Sequence, residues 1–139
     1  MSNTLLYIHD PMCSWCWGFK PSLDQLTNLL PASVKLSKII GGLAKDTDMP
    51  MPDIMQHQIQ ATWKNIQKTI PGTQFNYEFW KNNVPRRSTY PACRAIIATR
   101  LIDHLKTDDM LVAIQEAYYL NALNPSDYEV LYELASNIG

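Results

Sequence analysis

Cys13-Ser14-Trp15-Cys16 is the stretch of this chain whose residue types and spacing can do chemistry. Two cysteines separated by two residues can close a small disulfide ring. They can also supply half of a zinc site, or pack as two small hydrophobes. What surrounds the pair decides between these readings. Before it lies a short apolar run, Thr4 to His9, too short for a helix and suited to a buried strand. After it, Trp17, Leu23, Leu26, Leu29 and Leu30 recur at helical spacing. The cysteines therefore open a helix. Its first turn has unpaired N–H groups and the positive end of the helix dipole, and both favour a thiolate. Thiols at such positions titrate at roughly 3.5–7, against about 8.5 for free cysteine. Cys13, nearer the loop, reads as the exposed attacking thiol. Cys16, one turn deeper, reads as the thiol that resolves a mixed disulfide.

The elements that must hold this pair can be read onward. Asp10-Pro11 stops the first strand. Pro21 falls inside the helical pattern and predicts a kink or short break, and Pro31 ends the helix. Val34, Leu36, Ile39 and Ile40 read as a second strand, closed by Gly41-Gly42. Strand, helix and strand in so short a span make a βαβ unit with parallel strands. In that context a Cys-x-x-Cys pair favours redox chemistry. A structural zinc site would want a second ligand pair, and Cys93, His9, His57 and His104 are dispersed.

The rest reads as helix. Asp46 to Pro52 is a loop. Asp53 can cap a helix carrying Ile54, Ile59, Trp63 and Ile66, which Pro71-Gly72 ends. Asn76 to Pro85, rich in aromatics, stays ambiguous. Pro91 can open a helix showing Ala92, Ile96, Ala98 and Leu101 or Ile102 on one side. Asp108 or Asp109 can cap the next, with Leu111, Ile114, Ala117, Tyr118 and Leu120. Asp127 starts a last one, with Val130, Leu131 and Leu134. The fold class is α/β, a βαβ part at residues 1–45 followed by a helical part at residues 46–139.

Composition narrows the function classes. The 139 residues suggest one domain or a little more, large enough to fold without disulfide staples. Twelve basic residues face 13 acidic ones, a net charge of −1, which argues against a nucleic-acid or anionic-membrane binder. No apolar run approaches a membrane span, and the N-terminus lacks the pattern of a signal peptide. The expected address is the cytoplasm. Three cysteines in such a chain argue against a disulfide framework.

Other residues carry two readings each. Trp15 can stay partly exposed as a docking surface, while Trp17 and Phe19 point inward. Cys93 can be a third redox thiol or, the favoured reading, a buried thiol under a helix. Asp10 can raise a thiol pKa or cap the first helix, and a protonated His9 would lower one. Arg86-Arg87 can bind an anion or form a solvated loop. Phe75, Tyr77, Phe79 and Trp80 can line a groove or pack the helical layer onto the βαβ unit. Met49 and Met51 in the Pro-rich loop can offer a soft peptide surface.

Asp10-Pro11-Met12-Cys13-Ser14-Trp15-Cys16-Trp17-Gly18-Phe19 closely resembles the active-site segment of the DsbA-like thioredoxin superfamily. It is most similar to the branch with FrnE-like oxidoreductases, related to 2-hydroxychromene-2-carboxylate isomerases. Gly41-Gly42-Leu43, Tyr90 to Ala95 and Ala113 to Tyr119 resemble that branch too. The resemblance implies a thioredoxin fold interrupted by an all-helical insertion. It implies Cys13 as nucleophile and Cys16 as resolving cysteine, with Trp15 and Pro11 beside the substrate. It implies no metal or organic cofactor, with glutathione as a redox partner and protein or peptide thiols and disulfides as substrates. The isomerase relatives carry serine at the Cys13 position, so two cysteines favour redox exchange over glutathione-dependent isomerase or transferase chemistry. A thioredoxin-like adaptor, sensing redox state while binding a protein, is the other reading. Family members continue past the helices with further strands and a proline loop facing the cysteines. This sequence is expected to be an N-terminal portion of such a protein, with two strands whose edges lie open. A homo-oligomer or a partner is expected to cover them.

Overall fold

A computed structural model describes residues 3–139, so Met1 and Ser2, the start of the first expected unit, lie outside the described residues. Strands β1 (Asn3–His9) and β2 (Val34–Ile40) pair in parallel, from Asn3 opposite Val34 to His9 opposite Ile40. Helix α1 (Ser14–Leu29) connects them. It ends where Leu30 turns extended (φ −64°, ψ 131°), the conformation favoured before a proline. Contrary to the expected break, α1 runs unbroken through Pro21. The lost backbone bond is outweighed because both faces of the helix are packed. Trp17 and Gly18 lie toward the helical layer, and Cys16 and Leu23 lie beside Tyr7 and His9 of β1.

The helical layer starts with α2 (Asp53–Thr69), which buries Trp63 and Ile66. Pro52 takes the cap position, so Asp53 is the first helical residue rather than the cap, and Ile54 faces solvent. The aromatic segment left open by sequence forms a short helix, α3 (Phe79–Asn82). Helix α4 (Tyr90–Ile102) opens with Pro91 in its first turn. Its buried face is Ala92, Cys93 and Ile96; Ala98 is exposed, as are Leu101 (81%) and Ile102 (87%). The expected stripe fails because Ala98 lies about 200° around the helix from Ile96. A 3-10 turn, His104–Lys106, follows, with the Asp103 carboxylate accepting from the Leu105 N–H at 3.0 Å. Helix α5 (Thr107–Tyr119) grows directly from that turn, so Asp108 and Asp109 sit inside its first turn and cap nothing. Helix α6 (Tyr128–Asn137) closes the layer and buries Leu131.

The core centres on Trp63, fully buried on α2. Phe75 stacks on it at 4.6 Å, and Tyr77, Tyr118 and Tyr119 meet it edge-on at 5.4–5.8 Å. The four sequence-marked aromatics are therefore packing groups: Phe79 and Trp80 join the same cluster. Met51 is buried and Met49 exposed. Arg86 is structural, donating to the Ser126 carbonyl (2.6 Å) and pairing with Asp127 (2.8 Å).

Two contacts tie this core to α1. The Trp63 indole N–H donates to Ser14 Oγ at 2.8 Å, and the Trp17 indole N–H donates to the Gln74 carbonyl at 3.0 Å. Between them, Gly18 lets α1 approach α2: a Cβ there would sit 2.8 Å from Ile66 Cγ2 and 3.2 Å from Ile70 Cδ1. Ile66 is fully buried and cannot swing away. Gly18→Ala gains about 1 kcal/mol of helix propensity. It meets an overpacking cost of about 1–3 kcal/mol. The expected outcome is a net destabilisation of about 1 kcal/mol, read as a lower urea midpoint at unchanged slope. No helix among the described residues is long and apolar enough to cross a membrane.

Candidate functional site

Where β1 ends, His9 and Asp10 turn the chain into α1. The Cys13 N–H donates to the Asp10 carbonyl at 3.1 Å, closing a tight turn, and the Trp17 N–H donates to the Cys13 carbonyl at 3.1 Å. Cys13 takes the cap position with extended backbone (φ −81°, ψ 115°), and Cys16 lies one turn inside. Both are free thiols, part-buried on the floor of an open, mostly apolar groove of about 360 Å³. Ile8, His9, Gly41, Gly42 and Leu43 form its walls.

The two sulfurs act as one titrating unit. Cys16 is lowered to about 6, chiefly because the Cys13 thiol donates to it. Burial opposes this, while the Asp10 backbone N–H and the Tyr7 hydroxyl add two more donors. Cys13 is held well above the usual thiol range, because its proton bridges to Cys16 and because it is buried. The N–H groups of Cys16 and Trp15 pull the other way. The first-turn donors expected from sequence therefore do reach Cys13. In the reduced pair the two thiols titrate as coupled groups, in two separated steps.

Asp10 holds the site to the helical layer. Its buried carboxylate accepts from the Met12 N–H (2.8 Å), the Leu43 N–H (2.7 Å), Thr89 Oγ1 (2.7 Å) and the Cys93 thiol (3.4 Å). Thr89 extends the junction by exchanging backbone and side-chain bonds with Ala44. Asp10 is thus no cap of α1; Cys13 fills that position. Gly42 sits at φ +69° with the Tyr90 ring 3.1 Å from where its Cβ would be, so only glycine suits this wall of the groove.

The other sequence candidates fall into place by burial. Trp15 is 43% exposed beside the thiols, as expected. Trp17 turns inward, stacked on Tyr119 at 5.4 Å. Phe19, expected inside, is 39% exposed, because it lies on the α1 face toward the open sheet. Pro11, expected beside the substrate, is fully buried and offers a substrate no surface. Its place is under the loop, holding the turn into α1. Cys93 is 5% exposed, and burial with the nearby Asp10 charge pushes it up to about 12, so it is a packed thiol. His9 is lowered by burial and by Lys38. It stays neutral near pH 7 and lends the thiols no positive charge. Tyr7 carried no chemical signal in the sequence. Strand alternation places it on the same side as His9, and there it lines a cavity with Cys16.

A thioredoxin family model matches residues 6–139, and the chain belongs to the thioredoxin family. The DsbA-like form of that fold, a βαβ part followed by a helical layer, holds for it. A candidate protein disulfide isomerase from Nitrosomonas europaea has a similar crystal structure, with TM-score 0.81 and 30% identity. The match covers 100% of this chain and 66% of that one. Cytosolic disulfide reductase DsbM from Pseudomonas aeruginosa, solved with and without GSH, shares the fold at TM-score 0.78 and 24% identity. There, 98% of this chain is covered, and 65% or 64% of DsbM. The chain thus spans just under two-thirds of the length of these structures. No curated protein matched the sequence.

Proposed function

We propose that this chain carries the dithiol half of a DsbA-like thiol–disulfide oxidoreductase of the cytoplasm. The observation that supports it is the placement of two free thiols, Cys13 and Cys16, at the head of α1 and lining one open groove. Cys13 sulfur attacks a substrate disulfide R–S–S–R′. One S–S bond breaks, Cys13–S–S–R forms, and R′–S⁻ leaves. The Cys13 proton passes to Cys16 or to the leaving thiolate. Cys16, once deprotonated, attacks Cys13, releases R–S⁻ and leaves the Cys13–Cys16 disulfide. The protein has then lost two electrons and the substrate has gained them. Two molecules of glutathione can reverse this by the same two exchanges.

The partners are protein or peptide disulfides that meet the groove beside Trp15. The cytosolic DsbM of similar fold supports the cytoplasmic address and glutathione as reductant. The test is glutathione-driven reduction of a disulfide-bonded peptide, followed by chromatography. Catalysis above the glutathione-only rate supports the reading. A rate equal to that background, with peptide still bound, supports the adaptor reading in its place.

The chain also leaves Leu6 and Ile8 of β1 more than half exposed on a two-stranded sheet. We propose that this chain, taken alone, self-associates over that face. Light scattering at micromolar concentration is expected to give a dimer or larger species. A monomer contradicts it.

A further inference from the structure

The two residues between the thiols are held very differently. Trp15 is exposed, whereas the half-buried Ser14 accepts the Trp63 indole N–H at 2.8 Å. Trp63 is itself fully buried on α2, with Phe75 stacked on it at 4.6 Å and the edges of Tyr118 and Tyr119 against it at 5.7 and 5.8 Å. It cannot swing away, so Ser14 is fixed to the buried centre of the helical layer by a residue 49 positions on. The place of this bond matters. Cys13 is the extended cap, and Ser14 is the first residue of α1. A helix start has the fewest internal bonds and frays first. No side chain caps α1 at Cys13, and no acidic residue lies in its first turn. The bond from Trp63 is the side-chain tether of that turn.

A disulfide between Cys13 and Cys16 closes a ring that contains the Ser14 backbone. Residues three apart at a helix start stand roughly 5 Å apart at Cα. That falls within the span of about 4.4–6.8 Å that a disulfide accepts. The ring therefore closes on the tethered turn without moving it, and Ser14 keeps Trp63 in both redox states. The tether acts on them unequally. The disulfide restrains the first turn by itself, whereas the dithiol relies on the tether. Losing the tether frees the dithiol more than the disulfide and shifts the equilibrium toward the dithiol. We infer that Trp63 is a positioning residue for the thiol pair, setting through Ser14 how readily Cys13 and Cys16 close to a disulfide. This rests on the proposed oxidoreductase reading and gives the helical layer a part in it.

Equilibration of the chain with mixtures of reduced and oxidised glutathione reads the effect. Oxidised glutathione takes two electrons and two protons from the pair and leaves as two glutathione thiols, while the Cys13–Cys16 bond forms. Alkylation and mass spectrometry count the oxidised fraction. Ser14→Ala removes the acceptor and is expected to lower the equilibrium constant for disulfide formation about fivefold. That raises the potential by ~20 mV. Ser14→Thr keeps the hydroxyl and should match the unaltered chain. Trp63→Phe removes the donor and should shift the equilibrium the same way. Combined with Ser14→Ala it should add little, because both remove one bond. Tyr77→Phe loses a hydroxyl bond to Gln67 (2.9 Å) in the same aromatic cluster but no bond to α1. It should lower the urea midpoint and leave the equilibrium unmoved. An unmoved equilibrium in Ser14→Ala, or an equal shift in Tyr77→Phe, overturns the inference. If Trp63→Phe does not fold, the two Ser14 variants decide. Failure of the underlying reading looks different: the unaltered chain then forms no Cys13–Cys16 disulfide at any glutathione ratio, and the inference falls with it.

Discussion

Cys13→Ser is expected to abolish disulfide exchange, with turnover falling by roughly a thousandfold or more. Serine keeps the size and the hydrogen bonds of the cap position but is no nucleophile toward sulfur near neutral pH. The fold should be untouched, because Cys13 anchors α1 through its backbone, donating to Asp10 and accepting from Trp17. Cys16→Ser should give a different phenotype. Cys13 still attacks, but nothing resolves the product, so the chain accumulates as a stable adduct with glutathione or peptide. Mass spectrometry after exposure to oxidised glutathione reads both outcomes. The expected pattern is one adduct on Cys16→Ser and none on Cys13→Ser at the pair. The reverse pattern would make Cys16 the nucleophile, which its place one turn inside the helix disfavours.

Asp10→Ala is expected to be the most damaging substitution for stability. Four donors converge on one buried carboxylate, from the loop before α1, the turn after β2 and the start of α4. Removing it leaves the Met12 and Leu43 N–H groups and the Thr89 hydroxyl without their acceptor. Unpaired buried donors cost about 1–3 kcal/mol each. Partial relaxation brings the expected loss to about 4 kcal/mol. Asp10→Asn keeps one good acceptor and should lose about half as much. Urea unfolding of the reduced chain measures both. A loss below about 1 kcal/mol for Asp10→Ala would mean that the junction between the βαβ part and the helices is held elsewhere.

What could be read in the sequence follows from the range of each interaction. β1, α1 and β2 were legible because their patterns are local: a short apolar run, a helical stripe, and prolines and glycines at the ends. The place of the cysteine pair at the head of α1 was legible because its spacing and the helix start are both sequential facts. What packs around the pair was not. Tyr7 lines one cavity with Cys16 only through the β1–α1 packing, and nothing beside it in sequence marks it for that. Asp10 shows the same limit. Its position before Pro11 suggested a cap, whereas its partners Thr89 and Cys93, at the start of α4, lie 79 and 83 residues away. The faces of α4 and α1 were misjudged for a related reason. Apolar residues such as Leu101, Ile102 and Phe19 can stay exposed, and periodicity alone does not say which stripe finds a partner.

The central claim is that Cys13 and Cys16 share one proton and are therefore a reactive pair near neutral pH. Thiolate absorbance of the reduced chain against pH tests it directly. Cys93 stays silent in this range, since it is pushed up to about 12. The expected curve shows one thiolate equivalent appearing with a midpoint at about 6, gained as pH rises and lost below it. The second should be absent until well above pH ~9. Two thiols titrating together near about 8.5, the value of free cysteine, would contradict the account.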